Sequence, residues 1–311
     1  MELLPGGLAG AKGLIEHEVS GAEIHAGNEK IRLKRKGTAA YVIDRDMLDR
    51  ELASHAISAG CEMCFSSPVD NVSFMKNKAS VKCGKKVYES KIVVGCDGAR
   101  SVVGRCMDSY PQEMLNGLVV TVDESDFSEY VGMWFVEKDA RNGFLWKIPR
   151  GKCVEYGGMG TGLNFRSVEN FFSIRESDIM HRKAAPIPIG AVKTYNKRGL
   201  LVGDAACQTK PWSGGGIMYG MIAAKVAAAT IKSAFECDDF SEGVLSGYET
   251  GWKKILFRDI RAGLLLRGIY SDFEAGHLIR IVSRLRVAEA LQGKIDFDFP
   301  FSSILGLKNV A

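Results

Sequence analysis

Apolar positions along residues 40–60 follow two rhythms in succession. An extended Ala-Tyr-Val-Ile gives way to Met47, Leu48, Leu52, Ala56 and Ile57, spaced as on one face of a helix. Asp44 or Asp46 is placed to cap that helix and Gly60 to end it. From residue 62 to 98 the pattern shifts to short alternating runs with turn signals. These predict antiparallel strands that finish in the buried run Ile92-Val93-Val94-Gly95. Residues 117–160 read as strand after strand, through "GLVVTVD", "YVGMWFVEK", "NGFLWKIPR" and "KCVEYGGMG", with Asn142-Gly143 as a hairpin turn. The spacing predicts a helix over 164–183, strand over 192–203 and a long helix over 215–236. After residue 240 the pattern is helical to residue 292, with a loose tail. Residues 1–30 are glycine-rich and poorly periodic, and there are no internal repeats.

This order implies a mixed α/β (α+β) chain with a discontinuous first domain. The expected division is 1–112 with 190–236 as a nucleotide-binding domain, 113–189 as an inserted β-sheet substrate domain, and 237–311 as a C-terminal helical region.

Composition narrows the class. A chain of 311 residues, 46% of them hydrophobic, can bury a large core. No apolar run reaches the roughly 18 residues of a membrane span, and no signal pattern opens the chain, so a cytoplasmic location or the cytoplasmic membrane face is expected. A net charge of +4 is too mild to argue for nucleic acid. The basic residues are uneven: Lys253, Lys254, Arg258, Arg261, Arg267, Arg280, Arg284 and Arg286 crowd the C-terminal part. They read either as a solvated helix face or as contact with phosphate or an anionic membrane. Cys61 and Cys64 form a lone C-x-x-C without a second pair, so no metal site is expected and the eight cysteines read as reduced thiols.

Two acidic turns carry the chemistry. In "VVGCDGARSVVGR" and "LLVGDAACQ", Asp97 and Asp204 follow hydrophobic strands, where ligands bind in open α/β sheets. A carboxylate there can accept hydrogen bonds from ribose or ribityl hydroxyls, and a glycine such as Gly98 lets backbone approach a pyrophosphate. Either aspartate alone reads equally as a helix or turn cap. After Asp204 come Pro211, Trp212 and then Gly214, Gly215 and Gly216, immediately before the helix that starts near Ile217. The first N–H groups of a helix lack partners within it and form a positive end. An anionic reduced flavin ring suits such a glycine-lined amide cluster, and nicotinamide does not require one.

These segments resemble the geranylgeranyl reductase family of flavoproteins, above all its archaeal digeranylgeranylglycerophospholipid reductases. "VIDRDMLDRELASHA" resembles the family's Arg-x-x-Leu/Phe-Asp helix start, and "VVGCDGARSVVGR" its Asp-Gly-x-x-Ser motif. "GFLWKIPRGKCVEYGGMG" resembles its Tyr-x-Trp-x-Phe-Pro stretch, with Phe144 in place of Tyr and Ile148 in place of Phe. "VGDAACQTKPWSGGGIMYG" and "GYETGWKKILFRDI" resemble its Gly-Asp-Ala-Ala…Gly-Gly-Gly-Ile and Tyr-Glu-x-x-Trp segments.

The resemblance implies a p-hydroxybenzoate hydroxylase-type FAD-binding fold with C-terminal helices. It further implies FAD-dependent saturation of C=C bonds in the geranylgeranyl chains of membrane ether lipids. Arg45 would contact the pyrophosphate or ribose side of FAD, and the Val69 backbone the adenine. Asp97 and Gly98 would hold the pyrophosphate region and Asp204 the ribityl chain. Pro211, Gly214 and Gly215 would also bind the cofactor, and the Gly216 and Ile217 amides would meet the ring. Phe144, Trp146, Pro149 and Trp212 would line the lipid pocket. For Trp146 an ordinary sheet-core aromatic is the open alternative. The implied partners are a prenylated glycerophospholipid, an electron donor such as NAD(P)H or ferredoxin, and a peripheral membrane contact.

The family opens with a strand, a G-x-G-x-x-G loop and a helix, and that glycine pattern occurs nowhere in this sequence. Met1 is followed by a stretch that resembles the segment after it. The expectation is an N-terminally truncated fold that binds FAD weakly or not at all, with the family's candidate proton donor outside the chain and no catalytic residue assigned. Two other functions fit the same sequence: a flavin-dependent monooxygenase of the same fold, and a non-catalytic remnant that binds lipid.

Overall fold

The computed structural model describes residues 13–272, 296 and 298–304. Local chemistry sets the first elements. Strands β1 (Ile15–Val19), β2 (Gly21–Ala26), β3 (Glu29–Lys34) and β4 (Ala40–Ile43) precede helix α1 (Arg45–Ser58). The Asp44 side chain accepts from the Met47 amide at 3.0 Å and so fixes the start of α1, and Gly60, at φ +96°, turns the chain away after its end. Two strands, β1 and β2, and the start of β3 occupy residues that the sequence pattern left irregular.

The chain then runs through β5 (Asn71–Phe74), β6 (Ala79–Cys83), β7 (Lys86–Ser90), β8 (Val93–Gly95) and α2 (Val102–Cys106). Next come β9 (Glu113–Val122), β10 (Tyr130–Phe135), β11 (Arg141–Pro149), β12 (Val154–Thr161), α3 (Phe165–Phe172) and β13 (Ile179–Ile189). It closes with β14 (Tyr195–Asn196), β15 (Gly199–Leu201), α4 (Ile217–Glu236), α5 (Glu242–Asp272) and α6 (Pro300–Ile304).

Two compact units form, one from Met1–Met63, Leu115–Ala185 and Leu266–Lys308, the other from Cys64–Met114, Pro186–Leu265 and Asn309–Ala311. Their borders differ from the expected division because β2 pairs in parallel with β10, from Gly21↔Tyr130 to Ala26↔Phe135, and so joins the N-terminal residues to the sheet.

The first unit is built on a seven-stranded sheet ordered β13-β9-β12-β11-β10-β2-β3. On one face, Leu118, Val120, Val122, Leu145, Val154 and Tyr156 form a buried core with Val168 of α3, and Phe171 and Phe172 pack against it. Strand alternation sends Phe144, Trp146 and Ile148 of β11 to the other face. There Phe144 meets Phe135 with ring centroids 5.6 Å apart, and Phe135 packs on Ala26, Ile31 and Leu33.

Two expectations are corrected here. Asn142-Gly143 is not the β10–β11 hairpin turn. It lies inside β11, where the register slips between Arg141 and Phe144, and Asn142 takes φ +57°. Asparagine tolerates the left-handed region, and the chain uses it for a bulge. The helix expected over 164–183 stops at Phe172. Asn164 caps its start by accepting from the Ser167 amide at 3.1 Å, Ser173 turns at φ +54°, and residues from Ile179 onward pair as strand.

The second unit holds a parallel pair, β15 with β8, joined by β14, and the antiparallel meander β5-β6-β7. Val72, Val103, Leu201, Ala205 and Ala206 form its core beside the parallel pair. Helices α4 and α5 touch closely, since a Cβ on Gly251 would stand 2.6 Å from Val226 Cγ1. Among the described residues, no helix is long and apolar enough to cross a membrane.

Candidate functional site

Both acidic turns leave the same end of one parallel strand pair. The register Leu201↔Gly95 aligns the carboxyl ends of β15 and β8, and the Val202 amide donates to Gly95 O at 2.9 Å. Asp97 follows one strand by two residues and Asp204 follows the other by three. That is where an open α/β sheet presents its crevice.

The two aspartates do different work. Asp97 is a cap: its Oδ1 accepts from Ser101 Oγ at 2.5 Å, and its Oδ2 from the Val102 and Val103 amides at 2.6 and 3.2 Å. Ser101 Oγ in turn accepts from the Gly104 amide at 2.7 Å. The Asp-Gly-x-x-Ser motif thus builds the start of α2. Gly98, at φ +77°, makes the turn between, a conformation that side chains disfavour.

Asp204 sits in a 3₁₀ turn over Gly203–Ala206 that is braced by a chain of buried hydrogen bonds. Gly203, at φ +69°, donates its amide to Gln208 Oε1 at 2.7 Å. Gln208 Nε2 donates to the Tyr248 hydroxyl at 2.9 Å, and that hydroxyl donates to Leu201 O at 2.7 Å. Gln208 and Tyr248 are fully buried, so this chain pins the turn to both β15 and α5. Cys207 beside it is also buried. Burial first, and then the Asp204 carboxylate, push its thiol up to about 12, which keeps it protonated at neutral pH.

The glycine turn meets Asp204 directly. Gly214, at φ +71°, donates its amide to Lys210 O at 2.8 Å, and Gly215 O accepts from the Lys210 amide at 2.9 Å. Gly216 is the N-cap of α4. A Cβ at Gly216 would stand 2.8 Å from Asp204 Oδ1, and one at Gly215 would stand 2.8 Å from Lys210 Cε. Bare backbone at the positive end of a helix of 20 residues therefore adjoins a carboxylate, in a space that a side chain would fill. This pairing fits a flavin: amides for an anionic ring edge, a carboxylate for chain hydroxyls. Pro211 and Trp212 seat the turn on α5, where Gly263 leaves room for the indole. Val69 packs half-buried against the core of the same unit. Arg45 belongs to the first unit, where it pairs with Asp49 at 3.4 Å across one helical turn.

The other predicted residues lie on the sheet of the first unit. Phe144 and Pro149 are buried. Trp146 is half-buried, lies over Gly157, and donates its indole N–H to Glu155 Oε1 at 3.2 Å.

The C-terminal motif also has a structural meaning that its residue types signalled without specifying. Glu249 Oε2 accepts from the Thr194 amide at 2.8 Å and its hydroxyl at 3.0 Å, and Trp252 Nε1 donates to the same hydroxyl at 2.9 Å. Lys253 pairs with Glu249 at 2.6 Å. Burial opposes the Glu249 carboxylate, but the bonds from Lys253 and Thr194 outweigh it and hold its pKa below the usual range. A carboxyl group lowered in this way stabilises the fold above the unfolded value of about 4.3, and that stability is lost as pH falls through the lower folded value. Glu249→Gln should therefore cost about 1–2 kcal/mol at neutral pH. The gap from the unsubstituted protein should close in urea melts run progressively below pH 4.3. A gap that stays constant with pH would show that the charge is irrelevant.

The basic crowd at the C-terminus splits. Lys253 is engaged with Glu249, and Arg267 is buried and donates to Asn142 O at 2.9 Å. Arg280, Arg284 and Arg286 lie outside the described residues. Lys254, Arg258 and Arg261 are exposed and fall on one stripe of α5 with Leu265, which is 64% exposed.

A family model described as FAD binding domain matches residues 8–170. A digeranylgeranylglycerophospholipid reductase of Methanosarcina acetivorans is 27% identical over 304 residues, covering 86% of this chain and 73% of that protein. The fold is similar to that of a geranylgeranyl bacteriochlorophyll reductase-like protein of Thermoplasma acidophilum. Its TM-score is 0.80 at 21% identity, over 95% of this chain and 80% of that one. It is also similar to a flavin-dependent brominase, with TM-score 0.69 at 14% identity, over 96% and 83% of the two chains.

Proposed function

The chain belongs to the FAD-binding domain family, and from that premise we propose that it is an FAD-dependent reductase that saturates C=C bonds in the geranylgeranyl chains of glycerophospholipids. The observation that carries this reading is the close approach of the Gly216 backbone to Asp204, where an added Cβ would stand 2.8 Å from Oδ1. A bound flavin supplies the reducing equivalents, and the protein supplies placement. The α4 amides favour negative charge on the ring edge, by about 0.3–1 kcal/mol at an exposed site and more when partly buried. Asp204 accepts hydroxyl hydrogen bonds, and its turn is held rigid by Gln208 and Tyr248. Phe144 and Trp146, on the apolar sheet face, exclude water and orient a prenyl chain, whose buried CH₂ groups contribute about 0.8 kcal/mol each. An isolated alkene is unactivated, so orientation in a dry setting is the main lever.

The test is direct. Protein supplied with FAD and a chemical reductant should convert geranylgeranyl phospholipid to species heavier by one H₂ per bond, read by mass spectrometry. Oxygen-dependent hydroxylation or halogenation of an aromatic compound, with the lipid untouched, would overturn the reading.

A peripheral membrane contact belongs to the same proposal. The stripe Lys254, Arg258, Arg261 and Leu265 combines positive charge with an exposed apolar tip. Each such basic group contributes about 1 kcal/mol near an anionic surface. Replacing Lys254, Arg258 and Arg261 with glutamate should abolish co-sedimentation with anionic phospholipid vesicles at low salt. Unchanged sedimentation would exclude this face as the contact.

A further inference from the structure

Glu155 is out of place by pattern. Its neighbours across the sheet register are Ile148 on β11 and Thr121 on β9, on the face that carries Phe144 and Trp146. A carboxylate only 17% exposed on an apolar face costs desolvation and persists only when it is bonded. Both of its oxygens are engaged: Oε1 accepts from Trp146 Nε1 at 3.2 Å and Oε2 from Arg150 Nη1 at 2.9 Å. Arg150, also 17% exposed, is itself fixed, since Nη2 donates to Ile43 O at 3.1 Å and pairs with Glu16. From β1 and β4 to the indole, then, runs one chain of charge-assisted bonds, Glu16–Arg150–Glu155–Trp146.

Trp146 has two restraints in consequence. Below it is Gly157, where a Cβ would stand 2.6 Å from the indole Cε2. At its edge is Glu155. A plane resting on a flat support can still slide or tilt, and a hydrogen bond at the rim removes that freedom. We infer that Glu155, clamped by Arg150, is a positioning residue that holds the Trp146 indole in one plane and so sets the width of the slot offered to a prenyl chain. This inference rests on the proposal that Trp146 contacts the lipid. Glu155 itself touches no reacting atom.

The experiment is a double-mutant cycle on lipid KM, with ¹⁹F NMR of protein labelled with fluorotryptophan. Glu155→Leu leaves Arg150 its Glu16 partner, which favours folding. It should raise KM about 10-fold with kcat unchanged, the signature of lost uniform binding. Glu155→Gln keeps one acceptor oxygen for the indole but turns its amide NH₂ toward Arg150, so it breaks only the clamp and should raise KM about 3-fold. Trp146→Phe removes the donor, and adding Glu155→Leu to it should cost nothing further. Should Glu155→Leu fail to fold, Arg150→Gln makes the same test with an expected KM rise of about 3-fold.

The protein has four tryptophans, so the Trp146 line is identified by its loss in Trp146→Phe. That line should shift and broaden in Glu155→Leu and move less in Glu155→Gln, which keeps an acceptor at the indole rim. Additive KM effects in the double mutant, or an unmoved line in Glu155→Leu, overturn the inference. If Trp146→Phe leaves KM unchanged, the lipid contact is wrong and so is the slot, while the ¹⁹F line still reports whether Glu155 fixes the indole.

Discussion

Replacing Gly216 with valine is expected to lower flavin affinity about 100-fold or more, close to 3 kcal/mol, while costing the flavin-free protein only the roughly 1 kcal/mol expected for an apolar side chain at an N-cap. The separation follows from the geometry. Gly216 has φ −118° and ψ −17°, outside the left-handed region that favours glycine, so a side chain brings no positive-φ strain. The nearest atoms to a new Cβ are Asp204 Oδ1 at 2.8 Å and Thr209 Cγ2 at 3.4 Å, and both belong to side chains rather than backbone. Folding therefore tolerates the change. Flavin binding at the proposed site does not, because the same change crowds Asp204, the proposed hydroxyl acceptor, and covers the amides at the head of α4. Asp204→Asn keeps the volume and removes the charge, and it should cost about 10-fold. Flavin fluorescence titrations, run beside melts of the flavin-free proteins, read both quantities. Equal affinity for the Gly216→Val protein would remove the glycine turn from the site.

That turn was readable before the structure because its signals are local. Glycines before a helical pattern, an aspartate after a buried strand and an aspartate cap before α1 each act within a few residues. The strands of residues 117–160 were readable for the same reason. What escaped depends on distant partners. Residues 21–26 pair locally with β3, but they enter the seven-stranded sheet only through Tyr130–Phe135. Asn142-Gly143 carries a true local preference for positive φ, and register with β12 decided that it serves a bulge. The Asp-Gly-x-x-Ser motif shows the converse case. Its residue types stand plainly in the sequence, but that Asp97 accepts from Ser101 Oγ and the first two amides of α2 is something spacing alone cannot show. Glu155 gave no signal at all, since its role is defined by Arg150 and Trp146, which only the sheet brings to its two oxygens.

Gly157→Ala tests the sheet face by the smallest possible addition. The new methyl would press on Leu118 O, a backbone atom of the neighbouring strand, and on Trp146 Cε2 at 2.6 Å. Neither neighbour yields cheaply. The carbonyl is set by the β9–β12 ladder, in which Gly157 pairs with Val119, and the indole is held at its rim by Glu155. Overpacking against a flexible side chain costs about 1–3 kcal/mol, and with backbone as the obstacle a loss of about 3 kcal/mol or more is expected in urea melts. Relief comes only if the strands part or the indole lifts, so tryptophan emission should shift to the red as Trp146 gains exposure. The same chemical change at Gly247 supplies the contrast. It lies in α5 with nothing within 4 Å of the added carbon, and alanine there should stabilise by about 1 kcal/mol. One methyl group thus has opposite signs at two glycines, set by what stands beside each. A Gly157→Ala protein as stable as the original, with unshifted emission, would mean that the indole does not rest on that glycine, and the slot drawn from Phe144 and Trp146 would lose its floor.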